Sequence, residues 1–253
     1  MTTKVNYIVA SYIGPNRTYP HYQALFDNNP LYFFKKHINF LNTLPFNIKD
    51  KITATFVFND DVSDEIKQTL RYYLPLCYKL VFRKNSGFSY GIWNDVITKT
   101  LNDYDYFFLI EDDYIPSRVD FIDHFIKMTN NDVAFVCSLV EDASHERFPE
   151  HVPVEDGTFP FPSISNGLIT AESCRAVYKK HNTIFNINQN NDYWSAYKNQ
   201  IYFCKYFTDM GFNLADTTNE FQSPYNNAND PNYVIYGDSR LPPILEPIEV
   251  PRD

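Results

Sequence analysis

The chain has 253 residues, enough for one large α/β domain or two small ones, and 44% of them are hydrophobic, which is ordinary for a folded core. Its formal charge is −9 and no Lys/Arg-rich run occurs in it, which argues against a nucleic-acid groove and against a polybasic membrane anchor. The apolar run in the first ten residues is too short for a signal sequence or a membrane span, so we expect no transmembrane segment.

Short apolar runs alternate with amphipathic stretches in the first half of the chain. The runs predict buried strands over residues 5–11, 53–58, 79–82, 106–110 and 133–139. Helical spacing predicts helices over residues 31–41, from Ser63, over 93–101, and after a capping box at 117–120. This alternation indicates an α/β fold with a mostly parallel central sheet flanked by helices, whose ligands lie at the carboxyl ends of the strands.

The second half of the chain is less regular. Residues 141–165 are rich in proline, histidine and acids and predict a long functional loop. Helices are predicted over residues 170–180 and 192–210, the second ended by Gly211, and the Asn/Pro-rich stretch after residue 223 predicts an irregular surface tail. Four widely separated cysteines predict buried free thiols in a reducing compartment, so we expect a cytoplasmic protein.

Three consecutive acids, Glu111, Asp112 and Asp113, follow the most continuously apolar of the predicted strands. Carboxylates this close repel one another unless a cation neutralises them. Oxygen ligands without cysteine or a nearby histidine favour Mg²⁺ or Mn²⁺, which can also hold a diphosphate. The alternative is an ordinary solvated acidic turn.

Polar residues also follow the other predicted strands. Ser11 and Tyr12 come after the first strand, and Asp60 and Asp61 come after the second. A polar stretch, residues 83–94, follows the third. The sequence therefore predicts that polar side chains gather at one edge of the sheet.

These motifs resemble the GT-A nucleotide-sugar glycosyltransferases, especially glycosyltransferase family 2, over residues 4–215. The resemblance rests on the order and spacing of several short motifs, with Glu111, Val62 and Asn191 departing from the family pattern. It implies one GT-A domain with a nucleotide-sugar-binding half at residues 1–115, an acceptor and catalytic half at 116–222 and a tail at 223–253. It also implies a UDP- or GDP-sugar donor and a glycan or other hydroxyl acceptor.

The resemblance also implies roles for individual residues. Asp60 would read the nucleobase, and Gly167 would lie in a turn before a helix that carries Arg175. Glu111 and Asp113 would hold the metal against the diphosphate, and Asp112 would contact the ribose or the sugar. The residues implied to bind the nucleotide sugar are Ser11, Tyr12, Arg17, Asp60, Asn85, Gly87, Asn94, Asp112 and Gly167.

Asp192 is the catalytic base that the resemblance implies, removing the acceptor proton so that transfer inverts the anomeric carbon. The alternative for Asp192 is an N-cap of the helix that follows it. Other candidate bases in this half of the chain are Asp142, Glu155, His145, His151 and His181.

Two other functions remain open on the sequence. A sugar-phosphate nucleotidyltransferase would need a glycine-rich basic loop after the first strand, and residues 11–17 contain one glycine and one arginine. A non-catalytic carbohydrate-binding protein of the same fold would not need the acidic residues at both strand ends.

Overall fold

The computed structural model of the chain describes residues 3–14, 31–146, 148, 157–217 and 221–222. The strands in chain order are β1 (Val5–Ala10), β2 (Ile52–Asn59), β3 (Lys79–Arg83), β4 (Tyr106–Glu111), β5 (Ile115–Pro116), β6 (Val133–Ala143), β7 (Phe159–Thr170), β8 (Asn213–Asp216) and β9 (Phe221–Gln222). Seven of them form one sheet in the order β3-β2-β1-β4-β7-β6-β8, and β5 pairs with β9 separately. Within the large sheet only β7 runs antiparallel to its neighbours, which confirms the predicted mostly parallel α/β architecture.

Helices cover both faces of this sheet. In chain order they are α1 (Tyr32–Thr43), α2 (Phe46–Lys49), α3 (Asp64–Tyr73), α4 (Phe88–Thr100), α5 (Phe121–Met128), α6 (Ala171–His181), α7 (Tyr193–Tyr202) and α8 (Lys205–Thr208). None of the helices in these ranges is long and apolar enough to cross a membrane.

The core is divided by the sheet because successive strand residues point to opposite faces. In β1, Tyr7 packs with α1, α3 and α5 on one face, whereas Ile8 packs with α4 and α6 on the other. Trp93 of α4 is fully buried in the second core, as its helical spacing predicts. Three cysteines are buried, but Cys77 is exposed, so the prediction of four buried thiols is wrong at that position.

The predicted capping box at residues 117–120 is absent, and this prediction is wrong. Helix α5 begins after Asp120, whose side chain makes no capping hydrogen bond. Its carboxylate instead accepts two hydrogen bonds from the Arg118 guanidinium, at 2.6 and 3.0 Å. A local bidentate ion pair has therefore replaced the cap.

The predicted irregular stretch at 141–165 is in part a β-hairpin. Strand β6 continues to Ala143, which pairs with Phe159, so the two arms extend past the last β4–β7 pair at Leu109 and Gly167. Beyond that pair β7 has a partner on one side only among the described residues, and an edge position of this kind tolerates Pro160 and Pro162. Prolines that suggest a loop in the sequence are therefore compatible with a strand here.

The single helix predicted over 192–210 is broken into α7 and α8. The carbonyl of Phe203 accepts a hydrogen bond from the Asn186 amide at 3.3 Å, and the Phe203 ring is buried against Tyr90 and Trp93. Packing of this ring fixes the interruption. The second piece ends at Thr208 with Asp209 as its C-cap, and the predicted end residue, Gly211, lies in the turn that follows with a φ of 86°.

Candidate functional site

Four parallel strands end at one edge of the sheet and bring the predicted polar residues there. Ala10 of β1 is in register with Val57 of β2 and with Glu111 of β4. Ser11, the first residue after β1, therefore lies beside the acidic residues that begin with Glu111 at the end of β4. Asp60 is exposed one residue after β2, and its amide donates to the Arg83 carbonyl of β3 at 2.8 Å.

The acidic turn, residues 111–113, is held by hydrogen bonds from several elements. The Glu111 amide donates to the Asn166 Oδ1 at 2.7 Å, and one Glu111 carboxylate oxygen accepts from the Ser89 hydroxyl at 2.7 Å. The Asp112 amide donates to the Ala10 carbonyl at 3.0 Å. These bonds fix the backbone of the turn while Glu111 and Asp113 remain partly exposed.

The Asp112 carbonyl accepts a further hydrogen bond from a buried histidine of α1. His37 Nε2 lies 3.0 Å from this oxygen, and His37 Nδ1 lies 3.0 Å from the Tyr7 hydroxyl. Burial lowers the pKa of His37 to about 3, so the imidazole is neutral at physiological pH.

The N-terminal end of α4 faces the acidic turn and is attached to the segment before α7. Gly87, with a φ of 71°, is the residue before the helix, a conformation that favours glycine. Its amide donates to the Asn191 Oδ1 at 3.0 Å, and the Asn191 amide group donates to the Asn85 carbonyl. The Ser86 hydroxyl donates to the Gln189 carbonyl at 2.8 Å. Residues 85–89 thus connect the acidic turn to residues 189–191.

Asp192 is the N-cap of α7. Its carboxylate accepts hydrogen bonds from the Ser195 amide at 2.9 Å and from the Ser195 hydroxyl at 2.7 Å. These bonds hold the pKa of the Asp192 carboxyl below its ordinary value. The side chain is exposed, so the capping role is present and the carboxylate also remains accessible to solvent.

Asn94, a predicted nucleotide-binding residue, lies in α4 and is used to hold a turn. Its carboxamide oxygen accepts hydrogen bonds from the Thr183 hydroxyl at 2.9 Å, the Ile184 amide at 3.0 Å and the Phe185 amide at 3.2 Å. Three bonds to one oxygen make Asn94 a brace between α4 and the turn after α6.

Gly167 does not lie in a turn before a helix, and this prediction is wrong. It lies inside β7, between Leu109 of β4 and Cys137 of β6. A Cβ atom at this position would lie 2.1 Å from the Val136 carbonyl oxygen. The glycine is therefore required for close strand packing.

The segment after β1 is held by Asn59, a residue to which the sequence assigned no role. Asn59, the last residue of β2, is buried; its Oδ1 accepts from the Ile13 amide at 2.8 Å, and its Nδ2 donates to the Ile13 carbonyl at 2.8 Å. Tyr12 folds over Gly14, since a Cβ there would lie 2.4 Å from the Tyr12 hydroxyl. Ser11 is buried, and Arg17 falls outside the described residues.

Two other site residues were missed, and only one had a signal in the sequence. His37 lies on the buried face of α1, whose other residues are Phe33, Phe34, Phe40 and Leu41. A single polar residue among apolar ones at helical spacing is the signal that could have identified it. Asn166 precedes Gly167 in β7 and accepts a hydrogen bond from the Glu111 amide of β4, a contact between residues 55 positions apart that the sequence does not reveal.

The other candidate bases differ in location. Asp142 and His145 are exposed at the end of β6 and just after it, and His181 stacks on Tyr206 with ring centroids 3.9 Å apart. His151 and Glu155 lie outside the described residues.

The acidic turn has the chemistry of a divalent-cation site that is completed by a ligand. Across the described ranges, no three His, Cys, Asp or Glu side chains come together as a cage formed by protein alone. Mg²⁺ sites commonly use one or two carboxylates, with substrate phosphates and water supplying the other oxygens. The partly exposed Glu111 and Asp113 carboxylates fit this type of site.

Proteins similar to this chain are found among solved structures. No family model and no curated protein matches the sequence. Similar solved structures include a mannosyltransferase from Pyrobaculum calidifontis in complex with GDP-Man and Mn²⁺, with 11% identity and a TM-score of 0.47, covering 86% of this chain and 55% of that one. Another is the 4-diphosphocytidyl-2C-methyl-D-erythritol synthase from Anaerococcus prevotii, with 9% identity and a TM-score of 0.48, covering 86% of this chain and 87% of that one.

The chain thus spans little more than half of the length of that mannosyltransferase. Both of these neighbours have GT-A-like folds. At these identities and TM-scores, neither likeness identifies an activity for the chain.

Proposed function

We propose that this protein is a metal-dependent glycosyltransferase that moves a sugar from a nucleoside-diphosphate sugar to an acceptor hydroxyl, with inversion at the anomeric carbon. The observation that carries the proposal is the acidic turn at the carboxyl end of β4, which is fixed by Asn166, Ser89 and the β1 backbone. A pre-organised cluster of acids at this edge of a parallel sheet suits a phosphorylated ligand bound through a cation.

The donor nucleotide would bind along the ends of β1 and β2. Asp60 is exposed there, and its carboxylate can accept a hydrogen bond from a nucleobase N–H. Ser11 and Tyr12 follow β1 beside it, and Asn85 and Gly87 border the other side of the site. We expect the base to be uracil or guanine, because both present a ring N–H on the base-pairing edge, whereas adenine and cytosine present only an exocyclic amine there.

Glu111 and Asp113 would hold Mn²⁺ or Mg²⁺, and the cation would offset the negative charge of the diphosphate leaving group. Asp112 is largely buried and turns its backbone toward β1 and α1, so its carboxylate has little freedom to move. Our proposal places Asp112 against the ribose or the sugar, where a fixed acceptor orients hydroxyl groups.

Asp192 is the proposed general base. It is exposed, and hydrogen bonds from Ser195 fix its orientation and keep it ionised. Asn191, the preceding residue, is bonded to Gly87 and Asn85, which ties Asp192 to the donor side of the site. A glycan hydroxyl bound near α7 would give its proton to this carboxylate.

The exposed aromatic side chains of α7 support a carbohydrate acceptor. Trp194 is 49% exposed and Tyr197 is 37% exposed, two and five residues after Asp192. Sugar rings pack their C–H faces on such aromatic rings. Three buried free cysteines are consistent with action in a reducing compartment such as the cytoplasm.

The proposal is tested by identifying the leaving group. The protein is incubated with UDP- and GDP-sugars, Mn²⁺ and a panel of glycan acceptors, and the products are separated by mass spectrometry. We expect release of the nucleoside diphosphate together with an acceptor that has gained one sugar.

The same assay separates the rival enzyme class. A nucleotidyltransferase supplied with a nucleoside triphosphate and a sugar phosphate would release pyrophosphate. Pyrophosphate release without any glycosyl transfer would overturn the proposal, and so would the absence of any reaction with every donor.

A further inference from the structure

His37 is a polar residue on the otherwise apolar buried face of α1. Its side chain is fully buried, and the other buried positions of the helix are Phe33, Phe34, Phe40 and Leu41. Burying an imidazole removes its hydrogen bonds with water, which costs free energy unless both ring nitrogens find partners. An apolar side chain would fill this position without that requirement.

Both ring nitrogens of His37 have partners, and the chemistry of the partners fixes which nitrogen carries the proton. A carbonyl oxygen only accepts, so Nε2 must donate to the Asp112 carbonyl across 3.0 Å. In the neutral ring Nδ1 is then the acceptor, and the Tyr7 hydroxyl donates to it across 3.0 Å. The two hydrogen bonds form a relay in which the Tyr7 hydroxyl donates to His37 and His37 donates to the Asp112 carbonyl.

The start of this relay is rigid. The Tyr7 ring stacks on Phe108 of β4, with centroids 5.4 Å apart and planes 5° apart, and it meets the edge of Phe121 of α5. Tyr7 and Phe108 are also register partners on neighbouring strands. Side chains of two central strands thus set the position of the imidazole.

The end of the relay is the peptide group that joins Asp112 to Asp113. The Asp112 amide is already bonded to the Ala10 carbonyl at 3.0 Å, so the hydrogen bond from His37 holds the other end of the same residue. With both ends fixed, the backbone that carries the Asp113 carboxylate has one orientation.

We propose that His37 is a positioning residue that sets the geometry of the acidic turn for binding a divalent cation together with a nucleoside diphosphate. The inference rests on the proposed function and deepens it. In this account the orientation of the metal-binding carboxylates depends on a buried residue of α1 that touches neither the cation nor the nucleotide. Partners of this kind, one step removed from the ligands, commonly control the affinity of metal sites.

The test is Mn²⁺ binding in the presence of GDP or UDP, measured by electron paramagnetic resonance on the full chain and its variants. His37→Met removes the donor and replaces the imidazole with an apolar side chain of similar length. We expect its Mn²⁺ affinity to fall about tenfold, the lower end of the loss seen when such a partner is removed. His37→Gln retains an amide donor and should stay within about threefold of the wild type.

Phe40→Leu is the matched control, since Phe40 is buried on the same face of α1 and packs against Phe121. It should lower the melting temperature and leave Mn²⁺ affinity unchanged. Wild-type affinity in His37→Met with a lowered melting temperature would show that His37 only packs, and would overturn the inference while leaving the proposed function intact.

Two further outcomes are decisive. If His37→Met does not fold, Tyr7→Phe takes its place; it keeps the ring stack, removes the donor to Nδ1, and should weaken Mn²⁺ binding about threefold, or the inference is wrong. If the wild type binds no Mn²⁺ with either nucleotide, the proposed function fails and the inference fails with it.

Discussion

Asp192 combines two demands on one carboxylate, because it caps α7 and is also the proposed base. Asn caps helices about as well as Asp but does not act as a base. Asp192→Asn should therefore lower kcat by roughly 10²–10⁴ while donor affinity and melting temperature stay nearly constant. Steady-state kinetics with a thermal melt measure this, and an unchanged kcat would leave Asp192 as a cap only.

Ser195→Ala is the control for this substitution. It removes the hydroxyl bonded to Asp192 at 2.7 Å but leaves the Ser195 amide, which makes the capping bond. The variant should keep most of the activity, because the carboxylate is still present. A loss as large as that of Asp192→Asn would mean that orientation matters more than basicity.

The pH dependence of kcat gives an independent check on the same residue. The folded pKa of Asp192 is lowered by the Ser195 hydrogen bonds, so the carboxylate stays charged as the pH falls through the ordinary aspartate value of about 3.9. The acid limb of the kcat profile should therefore lie below that pH. A limb near pH 6 would assign the base to a histidine.

Asp60 provides a prediction about the nucleobase. If its carboxylate accepts a base N–H, Asp60→Ala should weaken binding of the free nucleoside diphosphate by about 1.5–3 kcal/mol, the range for a hydrogen bond to a charged group. Asp64→Ala, an exposed acid in the first turn of α3, is the charge-matched control. Equal calorimetric affinities for the two variants would place the base elsewhere.

At the scale of elements, the sequence predicted most strands and helices because their apolar periodicity is strong. The helix from Ser63 begins as predicted, with the Ser63 hydroxyl accepting from the Ile66 amide at 3.3 Å. Three predictions of elements are wrong. At residues 117–120 an ion pair forms where a capping box was predicted. Part of residues 141–165 pairs as strands where a loop was predicted, and at residues 203–204 a buried ring lies where a helix was predicted to continue. The strand pairing and the buried ring depend on partners distant in the chain, and the ion pair depends on side-chain geometry that composition does not reveal.

Gly167 shows how an element-scale error affects the assignment of a site. A glycine beside Asn166 suggests a ligand-binding turn, but the close β6–β7 contact explains it. Gly167→Ala should destabilise the fold by about 1–3 kcal/mol or more, because the added methyl group overlaps the Val136 carbonyl. Chemical denaturation measures this loss.

The control for that variant is Gly157→Ala, where a Cβ would meet no atom of the described residues within 4 Å but φ is 61°. Strain alone should cost about 1–2 kcal/mol there. The folded Gly167→Ala protein should still bind nucleoside diphosphate as the wild type does. Selective loss of nucleotide affinity without loss of stability would restore the binding role of Gly167.

At the scale of the whole molecule, one sheet includes strands from both predicted halves of the chain, with β7 of the second half lying beside β4 of the first. The candidate site depends on this junction, because Asn166 of β7 holds Glu111 and Asn191 holds Gly87. The sequence located the acidic turn and the edge of the sheet from the acidic and polar residues that follow the predicted strands. It did not reveal the supporting contacts, since they join residues that are far apart in the chain.

The measurement that tests the central claim most directly is calorimetric titration of a nucleoside diphosphate, with and without Mn²⁺, into the wild type and Asp113→Asn. Asn keeps the size of the side chain and removes the charge that the cation requires. We predict that Mn²⁺ strengthens nucleotide binding to the wild type and has no effect on the variant. Equal binding with and without Mn²⁺ in the wild type, or an undiminished Mn²⁺ effect in Asp113→Asn, would contradict the assignment of the acidic turn as the metal site.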